Sequence, residues 1–170
     1  MSIDFSRNRT QERYESILGI STPEELKKNK GLFEGHSLSD SDVALLKPLL
    51  EQDALDFFNN AIISFSEGID SIYSKRFSWA TVKLYYSVFY LLRTSMACNN
   101  VALLRNRKMY RLRLKKGEKP YGTGNKKYNS THSGTIAHYK DIFSGSDMLL
   151  TNKIDDIDAL HFPSTDMRLY

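Results

Sequence analysis

The chain has 170 residues, of which 41% are hydrophobic, and its formal net charge is +4. This length and composition predict one domain with a hydrophobic core of its own. The sequence has no apolar run of about 18 residues and no hydrophobic signal core at its amino terminus, so we expect neither a membrane span nor a secretion signal. We therefore expect a cytoplasmic protein. The single cysteine, Cys98, excludes an internal disulfide and supports no zinc site, so we expect a buried thiol and no metal or cofactor.

Positive charge is concentrated in one part of the chain. Residues 105–127 contain ten Lys or Arg and one acid, a local net charge of +9 that leaves −5 for the rest of the sequence. Such a segment predicts an anionic partner such as nucleic acid, although a solvated basic loop is the commoner explanation of a charge run.

The amino-terminal part predicts two short helices. Residues 11–18 carry apolar side chains at helical spacing, and Thr22, Pro23 and Glu25 supply the N-cap, first-turn proline and capping-box acid of a helix over residues 23–29. The stretch 31–41 is rich in Gly, Ser and Asp and predicts a linker. We therefore assign residues 1–38 to short helices and linker, and residues 39–170 to the main domain.

Two long helices are predicted next. Ser39 and Asp42 predict a helix start, and Pro48 predicts a kink or interruption. Beyond it, an amphipathic helix of roughly six turns is expected to bury its apolar side. That side consists of Leu55, Phe58, Ile62, Phe65, Ile69 and Ile72 or Tyr73.

The longest apolar segment, residues 78–99, predicts a central helix. The short connection before Ser78 predicts that this helix packs antiparallel to the preceding one. Arg93 is a charged side chain within its apolar body. We expect Asp70 or Glu67 on the adjoining helix to pair with Arg93, and a phosphate contact is the alternative.

After residue 100 the pattern changes from helical to alternating. Tyr110, Leu112 and Leu114 alternate with basic residues, which predicts a strand, and residues 116–118 predict the turn of a β-hairpin inserted at about residues 101–121. The candidate nucleic-acid-binding residues are Arg105, Arg107, Arg111, Arg113, Lys115 and Lys116. A basic protrusion that faces solvent or docks on an acidic partner explains the pattern equally well.

A further helix is predicted from Ser130 or Thr131 to Gly145. His132 and His138 lie on it, but their separation of six positions makes them a poor metal pair. Residues 164–166 are typical of a helix N-cap near the end of the chain, so we expect a longer protein, and a frayed native terminus is the alternative.

Two segments resemble the HEPN superfamily of prokaryotic α-helical domains, over roughly residues 50–145. They are the aromatic set Tyr85, Tyr86, Phe89 and Tyr90, and the later run Thr131, His132, Ser133, Gly134, Thr135 and Ile136. The resemblance implies a mainly α fold, an up-down helical bundle that here carries an inserted β-hairpin. It also implies a homodimer that acts on or near RNA in prokaryotic defence or toxin–antitoxin systems.

Many HEPN proteins are metal-independent ribonucleases with an Arg-x(4 to 6)-His motif on a late helix, and no Arg here precedes a His at that spacing. The resemblance therefore implies either a non-catalytic domain or a metal-independent ribonuclease whose catalytic motif is divergent or lies beyond Tyr170. If the chain cleaves RNA, His132 and His138 are the candidate acid and base, and Arg93 the candidate for stabilising the phosphorane.

A simpler interpretation gives these histidines no catalytic role. In it His132 bonds a neighbouring Tyr or Arg, and His138 lies at the surface. The alternative function is a non-catalytic protein-interaction or dimerisation module that uses the basic hairpin as its recognition arm.

Overall fold

The computed structural model describes residues 8–144 and the backbone of the strand residues 153–154 and 157–158. It is mainly helical, with one antiparallel hairpin inside the main body. The elements in chain order are α1 (Arg9–Ile17), α2 (Pro23–Lys28), α3 (Lys30–Gly35), α4 (Asp40–Tyr73), α5 (Phe77–Cys98), β1 (Val101–Asn106), β2 (Lys108–Arg113), α6 (Thr131–Phe143), β3 (Lys153–Ile154) and β4 (Ile157–Asp158). Within the described ranges, no helix combines the length and apolar character that crossing a membrane requires.

The predicted N-caps of α2 and α4 are confirmed. Thr22 with Glu25, and Ser39 with Asp42, form reciprocal capping boxes at α2 and α4. Each box satisfies backbone N–H groups that have no partner inside the helix.

The linker predicted over residues 31–41 is confirmed only for residues 36–39, and the interruption predicted at Pro48 does not occur. Residues 30–35 form α3, because the side chain of Phe33 is fully buried and its carbonyl oxygen accepts a hydrogen bond of 2.8 Å from the Tyr14 hydroxyl. The helix α4 continues through Pro48. Leu46 and Leu50 on either side of the proline are buried in the core, and this packing holds the helix together across the missing N–H.

The contact between α4 and α5 is made by small residues of α4. Ala61, Ser64, Gly68 and Ser71 are buried, and a Cβ atom on Gly68 would lie 2.8 Å from Leu84 Cδ2. The antiparallel pairing of the two helices therefore depends on a close approach of their backbones, which larger side chains would prevent.

The predicted buried side of α4 is wrong for most of its members. Ile69 is half-buried, whereas the other side chains are 41% to 84% exposed because the small residues beside them fill the contact with α5. We call these exposed side chains the apolar face; they are Leu55, Phe58, Ile62, Phe65, Ile72 and Tyr73. Cys98, predicted to be buried, is exposed and lines a groove of about 720 Å³ beside this face.

The hairpin turns at a different residue from the one predicted. Val101 lies opposite Arg113 and Asn106 opposite Lys108, so the chain reverses at Arg107, whose φ is 64°. Gly117, in the predicted turn, has a φ of 84° and instead donates a backbone hydrogen bond of 2.8 Å to Leu38. Basic residues continue beyond the end of β2, and for this reason the alternating pattern predicts the turn too late in the chain.

Both faces of the hairpin pack against helices. The predicted alternation is confirmed, since Tyr110, Leu112 and Leu114 are buried and Arg113 and Lys115 are exposed. One face shares a hydrophobic cluster with the helices α1–α3, and the other shares a cluster with α5 and α6. The hairpin is therefore part of the core and does not protrude as an arm.

The free edge of β1 is covered by polar side chains of α1. The Gln11 amide donates to the Arg105 carbonyl oxygen at 2.8 Å and accepts from the Arg105 N–H at 2.9 Å. Glu15 fixes this amide by accepting a second hydrogen bond of 2.7 Å from it. Gln11 thus pairs with β1 as a neighbouring strand residue would, and blocks strand addition there.

We expect Gly134→Ala to lower the free energy of unfolding by about 1 to 3 kcal/mol through overpacking. A Cβ atom at this position would lie 2.7 Å from Met109 Cγ and 3.1 Å from the carbonyl oxygen of Tyr128. Urea unfolding followed by circular dichroism measures the change. Gly31→Ala is the matched control, because no atom lies within 4 Å of its Cβ position, and it should be neutral or stabilising. Equal effects of the two substitutions would contradict the packing of α6 on β2.

Candidate functional site

A cationic pocket lies on the outer side of β2. We use this name for the cavity of about 250 Å³ around Arg111, Arg113, Lys119 and Tyr121. Arg111 and Tyr121 exchange two backbone hydrogen bonds of 3.0 and 2.8 Å, and the guanidinium lies 4.4 Å from the centre of the tyrosine ring. The ring remains 49% exposed. Pairing with β2 therefore holds an accessible aromatic ring against a cation.

The pocket carries both signs of charge. Glu118 and Asp141 also line it, and Asp141 lies 3.9 Å from Arg111 and 3.7 Å from Lys127. The hydroxyl of Tyr128 donates a hydrogen bond to the same carboxylate. Asp141 is thus engaged by its neighbours inside the fold.

Two cations of the pocket remain available for a partner. Arg113 and Lys119 are exposed, and within residues 8–144 neither forms an ion pair. These two side chains are the ones that can contact an external anion without first breaking a contact to a carboxylate.

The structure separates the six predicted nucleic-acid-binding residues. Arg111 and Arg113 lie in the pocket, whereas Arg107 is exposed at the hairpin turn and Lys115 is exposed beyond β2. The other two have partners within the fold: Arg105 donates to Thr131 Oγ1, and Lys116 pairs with Asp40 at 2.5 Å.

Sequence reasoning missed two residues of the pocket, Lys119 and Tyr121. Both lie in the basic segment, and an aromatic residue among so many cations is a usable signal for a stacking site. What the sequence does not show is the bridge that brings Tyr121 back alongside Arg111.

The expected ion pairs of Arg93 are wrong. Glu67 pairs with Lys83 at 2.5 Å, and Asp70 pairs with Arg76 at 3.1 Å. Both carboxylates lie near the carboxyl end of α4. Arg76 and Lys83 are closer than Arg93 to the turn between α4 and α5, and they pair with these carboxylates.

Arg93 is enclosed by aromatic rings instead. Its side chain is 6% exposed, and its guanidinium carbon lies 4.1 Å from the centre of the Phe57 ring and 5.8 Å from that of Phe89. Burial lowers the pKa of Arg93 to about 10, so the group remains charged at neutral pH.

His132 lies at the beginning of α6 against the aromatic set of α5. Its Nδ1 shares a hydrogen bond of 3.0 Å with the Tyr85 hydroxyl, and its ring centre is 4.6 Å from that of Phe89. The interpretation in which His132 bonds a neighbouring tyrosine is confirmed. Burial, and secondly the charge of Arg93, lower the pKa of His132, so the imidazole is mainly neutral at pH 7.

His138 is fully buried, so its predicted surface position is wrong. Its Nε2 lies 3.2 Å from the Met109 carbonyl oxygen, and its Nδ1 is buried without a hydrogen-bond partner. Burial lowers the pKa of His138 to about 4. An RNA strand cannot reach this ring in the folded chain, so the structure does not bring His132 and His138 together as an acid and base pair.

No family model, curated protein or solved structure matches this chain. In the part of the chain that the structure describes, no group of three His, Cys, Asp or Glu side chains could hold a metal ion.

We expect His138 to make the wild-type chain lose stability as the pH falls from about 6.5 to about 4. The unfolded chain binds a proton on this imidazole in that range whereas the folded chain does not, a difference worth roughly 2 to 3 kcal/mol in the free energy of unfolding. Urea unfolding at several pH values measures it. His138→Gln keeps an N–H donor for Met109, and its stability should fall less over the same range. If the free energy of unfolding changes equally with pH in both proteins, the imidazole of His138 is not held neutral by burial.

Proposed function

We propose that this chain is a HEPN-like domain that binds single-stranded RNA through the cationic pocket. The observation that carries the proposal is the exposed ring of Tyr121, which Arg111 supports from one side next to the exposed Arg113 and Lys119. Bases of single strands stack on such rings while neighbouring cations contact the phosphates. A setting in prokaryotic defence or a toxin–antitoxin system follows from the resemblance alone.

We propose binding, and not cleavage, as the activity of the described residues. General acid–base cleavage needs two proton-transfer groups within reach of the same phosphodiester. Within residues 8–144, His132 has Arg93 near it but no second histidine, because the ring of His138 is buried against Met109.

A homodimer is the second part of the proposal, and the apolar face supports it. With roughly 150 to 200 Å² for each large side chain when fully exposed, its exposed fractions correspond to about 600 Å². A stable interface buries about 800 Å² per partner, and an apolar patch of this size is at the upper limit for a monomer. Because its six members are all uncharged, the face suits a second copy of itself, which needs no complementary charge.

The alternative is a non-catalytic interaction module whose cationic pocket docks an acidic protein. The observation that favours it is the size of the apolar face, since protein interfaces have apolar centres whereas nucleic-acid interfaces are polar and positively charged. Binding of RNA with a steep salt dependence separates the two functions.

We expect the variant Arg113→Gln, Lys119→Gln to weaken RNA binding and flatten its salt dependence. Removal of two phosphate contacts should reduce the slope of log K against log salt by roughly 1.4 for a single strand. Fluorescence anisotropy of a labelled single-stranded RNA at several salt concentrations gives this slope.

Lys27→Gln, Lys28→Gln is the matched control, because it removes two exposed cations from α2 and produces the same net charge. It should retain the wild-type slope. If both double variants lose the same affinity, the pocket is not the RNA site, and if the wild type does not bind RNA, the proposed function is wrong.

We expect Ile62→Asp to convert a wild-type dimer into a monomer. Residue 62 is 49% exposed within the apolar face, so an aspartate there should leave the fold intact and place a charge inside the interface, raising the dissociation constant at least about tenfold. Sedimentation equilibrium measures the change. Ile63→Asp is the control, because Ile63 is 55% exposed but lies on another side of the helix. A monomeric wild type, or equal effects of the two substitutions, would refute this interface.

A further inference from the structure

Arg93 is a buried cation whose charge is not balanced by a hydrogen-bonded carboxylate. Its side chain is 6% exposed and its Nε atom is buried without a hydrogen-bond partner. Within residues 8–144 no acid lies at ion-pair distance from it. An uncompensated buried charge costs several kcal/mol, which contacts with the rings of Phe57 and Phe89 offset only in part.

The carboxylate whose charge acts on Arg93, Asp53, forms its hydrogen bonds with other groups. It accepts hydrogen bonds of 3.0 Å from the backbone N–H groups of Arg9 and Thr10, and one of 2.6 Å from the Thr10 hydroxyl. These bonds satisfy the first N–H groups of α1. Asp53 therefore influences Arg93 only through its field and leaves the guanidinium donors free.

Other polar groups lie next to Arg93. Tyr90 and His132 are both close enough to couple electrostatically with it, and both are half-buried. Since Nδ1 of His132 is taken by Tyr85, its Nε2 is the nitrogen left for a ligand. A guanidinium, a phenol and an imidazole together provide several donors and no fixed negative charge, which is a composition suited to an oxyanion.

The enclosure of Arg93 restricts the shape of that oxyanion. A phosphate inside a continuous strand is flanked by a ribose on each side and cannot reach a guanidinium that is covered by aromatic rings. A phosphate at the end of a strand has one such neighbour, is smaller at its tip and carries up to two negative charges. We propose that Arg93, with Tyr90 and His132, binds the terminal phosphate of an RNA strand, an inference that rests on the proposed RNA binding.

The test uses one short single-stranded RNA prepared with a 5′-phosphate, with a 3′-phosphate, or with hydroxyls at both ends. We expect the wild type to bind at least one phosphorylated form about tenfold more tightly than the hydroxyl form. The form that binds tightly identifies the end that is recognised. Arg93→Met should bind all three alike, whereas Arg76→Met, which removes an exposed cation from the other end of α5, should keep the preference. Equal affinities of the wild type for all three RNAs would overturn the inference.

A second measurement does not require RNA. Inorganic phosphate, compared with chloride at the same ionic strength, should raise the Tm of the wild type by more than that of Arg93→Met. Without phosphate, Arg93→Met should melt at or above the wild-type temperature, because methionine removes an unbalanced buried charge. Arg93→Lys, which keeps the charge, replaces it if the methionine variant does not fold, and should show a reduced phosphate effect.

The two proposals fail in different ways. If phosphate raises the Tm of the wild type and of the Arg93 variant equally, Arg93 is a structural residue even if the chain binds RNA. If the chain does not bind RNA but phosphate raises its Tm in a way that depends on Arg93, the anion site is retained and the RNA function is rejected.

Discussion

The close approach of α4 and α5 at Gly68 determines where the large apolar side chains of this helix pair can lie. Small side chains fill the contact, so the bulky ones beside them project outward and form the apolar face. Elsewhere along the same pair, Phe57 of α4 meets Arg93 of α5, and Arg93 couples to His132 of α6. The same helix pair thus carries two chemically different features, an exposed apolar face and a buried guanidinium among aromatic rings.

The second organising element is β2, which contributes to the core and to the cationic pocket at once. Tyr110 and Leu112 are buried against the amino-terminal helices, while Arg111 and Arg113 point to the other side. On that other side Met109 is covered by α6, so the cations become accessible only toward the end of the strand. Moving the backbone that carries these arginines would therefore disturb packing on the opposite face of the strand.

Signals that act over a few residues could be predicted from the sequence. The two capping boxes and the alternation in β2 follow from short spacings. The tyrosine partner of His132 lies 47 positions away, and the sequence left tyrosine and arginine open. The apolar face and the burial of His138 could not be predicted in this way, because hydrophobic spacing marks a helix side without saying which neighbour covers it. The contacts of Arg93 depend on carboxylates already taken by other groups, which no local pattern shows.

The pairing of Gln11 with Arg105 joins residues 94 positions apart. During synthesis, α1 leaves the ribosome long before the strand that it must bind. The contact cannot form until the hairpin has been synthesised, and the amino-terminal helices cannot complete their hydrophobic cluster before that point. Closing a loop of this length has an entropic cost that is met before the contact forms, so the pairing of Gln11 with Arg105 slows the folding of the amino-terminal helices.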